Sequence, residues 1–252
     1  MFQSDMVVPD IVSCDVFDTL LHRDGRCETN RQRAVARVAA QRLRAERGIA
    51  IPAEAVRQAR AEAQRYAYRA LDMLHPSGEV RFAALVAATA ERLALGPAEA
   101  AILAESELAV ERAQLAPNRP LLAWLAAWAR DGRRIVAVSD TWHEAATIRA
   151  LLDAVAPGHP VMAVYTSADH DATKRSGALF TSVLRAEAAQ PDRVLHIGDD
   201  AVADLAMARA AGLRCAPVRR PRALRLWRKL DAALARLRTA RTSFREHALD
   251  AA

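Results

Sequence analysis

Asp15, Ser139, Lys174, Asp199 and Asp204 are the residues through which this sequence could do chemistry. Asp15 ends the apolar run Ile11-Val12-Ser13-Cys14, and Ser139-Asp140-Thr141 follows Arg134-Ile135-Val136-Ala137-Val138. Gly198-Asp199-Asp200 follows Arg193-Val194-Leu195-His196-Ile197, and Val161-Met162-Ala163-Val164-Tyr165 runs into Thr166-Ser167-Ala168-Asp169. A short apolar run ending in a polar turn is how a buried parallel strand delivers side chains to the carboxyl edge of an open α/β sheet, where ligands bind. A single aspartate at such a place caps a helix or shapes a turn more often than it reacts. Several on neighbouring strands make one site, with carboxylates able to attack an electrophile or hold a cation. Lys174 has its own argument. The chain has 34 arginines and two lysines, Lys174 and Lys229, so a lysine in a loop before a helix marks a place where a compact ammonium is wanted.

The elements that must position these groups alternate. A helix over Leu121–Arg130 precedes the strand from Arg134, helices are expected over Glu144–Val155, Ser176–Ala189 and Val202–Ala211, and a last strand over Leu213–Val218. That is the rhythm of a parallel sheet covered by helices on both faces. Between Leu21 and Pro117 nothing alternates like a strand. Thr29 or Asn30 can cap a helix to Arg47 that Gly48 ends, and Pro52 opens a second ending near His75-Pro76-Ser77-Gly78. A third is expected over Glu79–Leu95 and a fourth from Pro97 to about Leu115. From Arg222 the pattern is one amphipathic helix with Trp227, Leu230, Leu234, Leu237 and Phe244 on a stripe.

Composition narrows the classes. A chain of 252 residues, 52% apolar and 26% charged, is globular rather than disordered. The net charge of +6 belongs to the tail: from Arg214 onward there are 11 basic and 3 acidic residues, leaving 25 basic and 27 acidic before it. A near-neutral body argues against specific nucleic-acid binding. No apolar run approaches the ~20 residues of a transmembrane helix, and the N-terminus lacks the basic-then-apolar order of a signal peptide. Cys14, Cys27 and Cys215 are widely spaced with no CxxC pair, which fits reduced thiols in the cytoplasm.

Asp15-Val16-Phe17-Asp18-Thr19, Ser139-Asp140-Thr141, Lys174 and Gly198-Asp199-Asp200 with Asp204 resemble, in order and spacing, the four motifs of the haloacid dehalogenase (HAD) superfamily. The resemblance covers roughly residues 8–24 and 118–218, and the helical insertion stands where that superfamily carries a C1-type cap. It implies an α/β, Rossmann-like parallel sheet formed by residues 1–24 and 118–221 and an all-helical cap over residues 25–117, which leaves the helix of the amphipathic pattern to cover residues 222–252. The wording around Ser13–Leu21, Thr173–Phe180 and His196–Asp199 is similar to a branch found alone or fused to glycosyltransferases in bacterial surface-polysaccharide systems. A sugar or polyol phosphate as substrate and a glycosyltransferase or other protein as partner are therefore expected. The resemblance makes Asp15 the nucleophile that forms an aspartyl-phosphate. Bringing two anions together calls for Mg²⁺, held by Asp15, Asp199 and, by resemblance, the Phe17 carbonyl. Ser139, with Asp140 and Thr19 beside it, would bind phosphate, and Lys174 would balance the charge. Asp204 would be a second metal-side carboxylate or an acceptor behind the metal; Asp200 would cap its helix or reach the metal through water. Asp140 is also a candidate cap for the helix after it. Trp142 and His143 are either pocket lining or an exposed helix start, and Arg65, Tyr66 and Arg69 are candidate substrate contacts; His22, His75 and His196 are read as structural.

The sequence departs from the family at one position. HAD phosphatases carry a second aspartate two residues after the nucleophile, to protonate the leaving alcohol and then activate water. Here that residue is Phe17, and Asp18, a candidate acid/base, stands where the pattern has glycine. Four readings follow: a Mg²⁺-dependent phosphatase whose acid is Asp18, the cap or the substrate; cleavage of a C–P or C–halogen bond; a HAD-like module that binds phosphate or nucleotide without turnover; and an adaptor dominated by its basic tail. Asp199 speaks against a dehalogenase, which needs no metal. The tail suits an anionic membrane surface or an acidic partner, although packing its apolar stripe on the sheet is the expected arrangement.

Overall fold

The computed structural model describes residues 8–249, with side chains described through Leu237. In chain order, strands β1 (Ile11–Cys14) and β2 (Leu21–Arg23) lead into helices α1 (Glu28–Arg47), α2 (Ala53–Leu74), α3 (Phe82–Arg92) and α4 (Pro97–Ala113). Strand β3 (Leu115–Pro117) and α5 (Arg119–Arg130) open the alternating part: β4 (Arg134–Ser139), α6 (Ala145–Val155), β5 (Ala163–Thr166), α7 (Ser167–His170), α8 (Ala178–Ala186), β6 (Val194–Gly198), α9 (Met207–Ala210) and β7 (Arg214–Pro217). Helix α10 spans Arg222–Leu249. The chain forms two compact units: one runs to His22 and adds Ala63–Val86 and Leu115–Arg219, the other holds Arg23–Glu62, Ala87–Gln114 and the chain from Arg220.

The first unit is built on a parallel five-stranded sheet in the order β5-β4-β1-β6-β7. Alternation along the buried strands sends side chains to two faces. Val12, Cys14, Ile135, Ala137 and Ile197 pack with Leu125 of α5 and Ile148 and Leu152 of α6. Ile11, Val136, Val138 and Val194 pack on the other face with Leu179, Phe180 and Val183 of α8 and Ala208 of α9. Both faces are thus covered, as an all-parallel sheet requires. Central β1 is bonded to β4 on one side and β6 on the other. The chain leaves it for β4 and β5, then returns for β6 and β7, so the strand order reverses at the carboxyl end of β1, the switch point where open α/β sheets bind ligands.

In the second unit, buried Ala36, Ala39 and Leu43 of α1 pack with α4, which buries Ile102, Leu103 and Val110. Arg42–Glu105 and Arg47–Glu99 ion pairs, each 2.7 Å, join the same two helices. Gly48 ends α1 in the left-handed conformation, as expected. Its start differs: Cys27 holds the cap position without a side-chain bond, and Asn30 donates instead to Asp231 of α10 at 2.9 Å.

Three other expectations are revised. A two-stranded sheet, β2 with β3, brackets the helical insertion, too short to show alternation. Helix α3 begins at Phe82 rather than Glu79, because Glu79 and its neighbours bond to the loops of the sheet. The stretch after β6 is π-helical over Ala201–Ala206 before α9, with Leu205 N donating to Asp200 O. Among the described residues no helix is long and apolar enough to cross a membrane.

Candidate active site

The carboxyl end of β1 continues into Asp15, whose backbone N–H donates to Ile197 O of β6 at 2.8 Å. The chain then turns sharply: Leu20 N donates to Asp15 O, Leu21 N to Val16 O, and Asp18 N to Leu21 O at 2.7 Å. Asp18 makes this turn with φ of 65°, a left-handed conformation that glycine adopts freely and aspartate tolerates. The ring of Phe17 is buried in the apolar core beside Val16, Leu20 and Leu21, where it can neither donate nor accept a proton.

Lys174 lies at the centre of the site. It is 3% exposed, and its Nζ donates to Asp15 Oδ1 and Asp204 Oδ1, both at 2.6 Å. Burial works against its charge, but Asp15, Asp204 and Asp140 outweigh that and raise its pKa above the usual lysine value. Asp15 is pushed the other way: burial raises its pKa to about 6, with Asp204 and Asp199 adding to the rise and Lys174 opposing it. Asp204 is held well below the usual carboxylate range, because the His196 hydrogen bond and the Lys174 charge overcome its burial.

The other predicted residues fall into two groups. Asp15, Asp199 and Asp204 each offer an oxygen within 4.8 Å of the others, a set of hard donors that fits a divalent cation such as Mg²⁺. Three carboxylates against one ammonium leave an excess of negative charge, so the charge also fits. Asp204, however, has all its acceptor positions met: Oδ1 by Lys174 and His196, Oδ2 by the N–H groups of Asp199 and Asp200. Ser139 and Thr19 are 1% and 0% exposed, and their hydroxyls are buried without a hydrogen-bond partner. Orphaned hydroxyls at a strand end and its neighbouring turn suit an incoming anion, since a buried hydroxyl left unpaired costs about 1–3 kcal/mol.

Asp140 and Asp200 do other work. Asp140 does not cap the following helix; its two oxygens accept from the N–H groups of Lys174 and Arg175 at 2.6 and 3.3 Å, fixing the lysine loop. Glu144 occupies the cap position of α6 without a side-chain bond, and Asp169 accepts from Ala145 N at 2.7 Å. Asp200 caps the π-helical turn through Val202 N and Ala203 N and pairs with Arg175 at 3.0 Å, which lowers its pKa against burial. Arg65, Tyr66 and Arg69 are exposed. Trp142 is half-buried rather than an exposed helix start; its carbonyl accepts from Phe82 N, and buried His143 packs on the Phe82 ring at 4.6 Å.

Two features escaped sequence reading. His196 is fully buried; its Nε2 lies 3.2 Å from Asp204 Oδ1 and its Nδ1 2.8 Å from Ser13 Oγ. Burial depresses its pKa, so it is neutral, and a carboxylate that only accepts assigns the proton to Nε2 and leaves Nδ1 to accept from Ser13. A buried chain Ser13–His196–Asp204–Lys174–Asp15 therefore runs through the sheet to the site. The signal was in the sequence: Ser13 and His196 are polar residues inside two apolar strands, and they are partners in register. The second feature is Glu79. Its Oε1 accepts from Tyr68, and Ser167 Oγ, which accepts from Thr141 N, lies 3.0 Å from its Oε2 and 3.1 Å from Thr141 O, so the two oxygens share the one hydroxyl proton. Thr173 N donates to Ser77 O, so residues 77–82 brace the loops after β4, β5 and α7.

Residues 9–212 match the family model of haloacid dehalogenase-like hydrolases. No curated protein matches the sequence. Among solved structures, a defluorinating L-2-haloacid dehalogenase superposes with a TM-score of 0.56 at 16% identity, over 87% of this chain and 86% of its own. A 2-haloacid dehalogenase from Pseudomonas syringae gives 0.53 at 21% identity, over 82% and 85%. A HAD hydrolase from Bacillus subtilis, described bound to magnesium and showing interdomain movement, gives 0.51 at 18% identity, over 82% and 87%. At such identities these likenesses concern the fold.

Proposed function

We propose that this chain, which belongs to the haloacid dehalogenase-like hydrolases, is a Mg²⁺-dependent phosphatase of a small phosphorylated metabolite, a sugar or polyol phosphate. The observation that carries this reading is the second acidic group beside the nucleophile: Asp199 joins Asp15 and Asp204 within 4.8 Å. Displacement of halide by a carboxylate has no use for more negative charge there, whereas a phosphoryl centre and its counter-cation do.

In this reading Asp15 attacks phosphorus. A bond forms between its carboxylate oxygen and phosphorus, the bond to the substrate oxygen breaks, and the departing alkoxide takes a proton. Water then attacks the aspartyl-phosphate, releasing phosphate and restoring Asp15. Ser139 and Thr19 donate their buried hydroxyls to phosphoryl oxygens. Lys174 keeps Asp15 ionised and offsets the incoming charge, and Asp140 holds the lysine loop through its backbone. Mg²⁺, when bound by Asp15, Asp199 and the Phe17 carbonyl, supplies charge neutralisation between nucleophile and phosphate. Asp204 we assign to orientation rather than to the metal, because its four acceptor positions serve Lys174, His196 and the Asp199 loop. Asp18 is the proton donor we propose in place of Phe17, and help of that kind is worth about 10²–10⁴ in rate. A cytoplasmic setting is supported by Cys14, Cys27 and Cys215, all free of disulfides. A glycosyltransferase remains the partner that the resemblance of residues 13–21 favours.

The test is a screen of sugar and polyol phosphates alongside 2-haloacids, with and without Mg²⁺, using Asp15→Asn as control. Phosphate release that needs both Mg²⁺ and Asp15 supports the proposal. Halide release without metal, or phosphate release that survives Asp15→Asn, overturns it.

A further inference from the structure

The packing of α10 reverses the arrangement expected of an amphipathic C-terminal helix. Its apolar stripe is outside: Leu226, Trp227, Leu230, Leu234 and Leu237 are 59%, 65%, 48%, 52% and 61% exposed. What faces inward is mostly polar or small, with Leu224 half-buried among it. Asp231 accepts from Cys27 N at 2.8 Å and from Asn30, Arg228 donates to the carbonyls of Arg23 and Asp24, and Ala235 is 2% exposed. At about 100° per residue the five apolar residues share an arc of about 100°, with Asp231, Ala235 and Arg228 beyond its far edge. Arg222, Arg225, Lys229 and Arg236, all exposed, line the other edge over about 60°. Asp231 is the sole acid among the helix residues with described side chains, and it is turned inward. The exposed face is therefore a Trp/Leu stripe bordered by a rail of four cations with no acid to interrupt it.

We propose that this face docks on an anionic lipid membrane, lying in the interface with Trp227 and the leucines among the acyl chains and the cationic rail at the headgroups. Charge decides between a membrane and a second copy. A second copy would set one cationic rail against another, whereas an anionic leaflet complements the rail and accepts the stripe along its length. The amphipathic ring of Trp227 suits the boundary between headgroup and hydrocarbon. The proposal is independent of the reaction assigned to Asp15.

The test uses the full chain in cosedimentation with vesicles of phosphatidylcholine alone and of phosphatidylcholine with ~30% phosphatidylglycerol. Binding is expected to the anionic vesicles only and to weaken steeply between low and high salt. Arg225→Gln with Lys229→Gln should lower partitioning about 25-fold, at about fivefold per cation. Leu230→Ser or Leu234→Ser should each lower it by at least about tenfold. The blue shift of emission on binding should vanish in Trp227→Phe. All these sites are exposed, so unchanged thermal unfolding checks the fold. Equal binding to both vesicle types, or none to either, overturns the proposal. So does self-association abolished by Leu230→Ser, or a fluorescence response to an acidic peptide with none to vesicles.

Discussion

Replacing Asp15 by asparagine should abolish turnover and at the same time stabilise the protein. The carboxyl of Asp15 is buried with a pKa of about 6, against an ordinary 3.8. A raised folded pKa means that between those values the native state holds a proton that the unfolded chain has lost. The charged form is the unfavourable one, and the penalty grows as pH rises from about 4 to about 6 and is constant above that. The penalty is on the order of 3 kcal/mol at pH 7.5, about half of that at pH 5 and only a small fraction of it at pH 4. The asparagine amide is neutral, and its oxygen can still accept from Lys174, which keeps Asp204 as its counter-charge at 2.6 Å. In metal-free buffer the variant should gain about 3 kcal/mol at pH 7.5, a rise in Tm of about 6–12 °C for a chain of this size. The assay is urea and thermal unfolding of both proteins with chelator at pH 7.5, 5 and 4. Added Mg²⁺ should then narrow the gap, because it stabilises the wild type by binding where the variant lacks a charged ligand. A variant no more stable than the wild type at pH 7.5, or an advantage that does not shrink as pH falls, would show that Asp15 is not the strained group this reasoning makes it.

Four more predictions bear on the parts around it. Gly198→Ala would place a Cβ 2.3 Å from Asp204 Cγ, so Asp204 and the Asp199 loop must move; a shift of about 1 Å should cost about 10² in kcat/KM while the sheet still folds. His196→Ala removes a donor behind Asp204 and should lower kcat about 10–100-fold with little change in KM, and His196→Gln should recover part of it; kinetics on the best substrate of the screen decide. Asp18→Asn keeps the left-handed turn but removes the acid, so alkyl phosphates should slow about 10²–10⁴-fold while p-nitrophenyl phosphate, whose leaving group needs no proton, is spared; equal rates on both substrates in variant and wild type would remove Asp18 from the chemistry. Ala188→Gly relieves a φ of 48° at the end of α8 and should stabilise by about 0.5–1 kcal/mol, read as a Tm rise of about 1–4 °C.

What the sequence made legible were features carried by local pattern. Continuous apolar runs that break into Asp15, Ser139 and Asp199 are the direct imprint of strands buried on both faces, and they identified β1, β4 and β6 with their strand ends. Lys174 was legible by its rarity. Roles set by distant partners were not. Asp140 binds backbone 34 residues away, and nothing near it distinguishes that from a helix cap. Glu79 reads as the first turn of a helix, and only its bonds to Ser167 and Asp171 explain why α3 starts later. In α10 the stripe was plain, but which face would pack was not, because the choice fell to Asp231, Arg228 and Ala235, which match α1 and the chain before it through hydrogen bonds and small size.

The same physics accounts for the turn after Asp15. Six residues, Val16 to Leu21, must reverse the chain at the sheet edge while burying Val16, Phe17, Leu20 and Leu21, which they do through backbone bonds and one left-handed residue. With Phe17 spent on the core, the one carboxylate left in that turn is Asp18, and it occupies the strained position. A glycine there would relieve the strain, so an aspartate held at φ of 65° and 5% exposed is retained at a cost. In the proposed reaction this aspartate delivers the leaving group's proton, so the acidity of the leaving group should separate the substrates of this site.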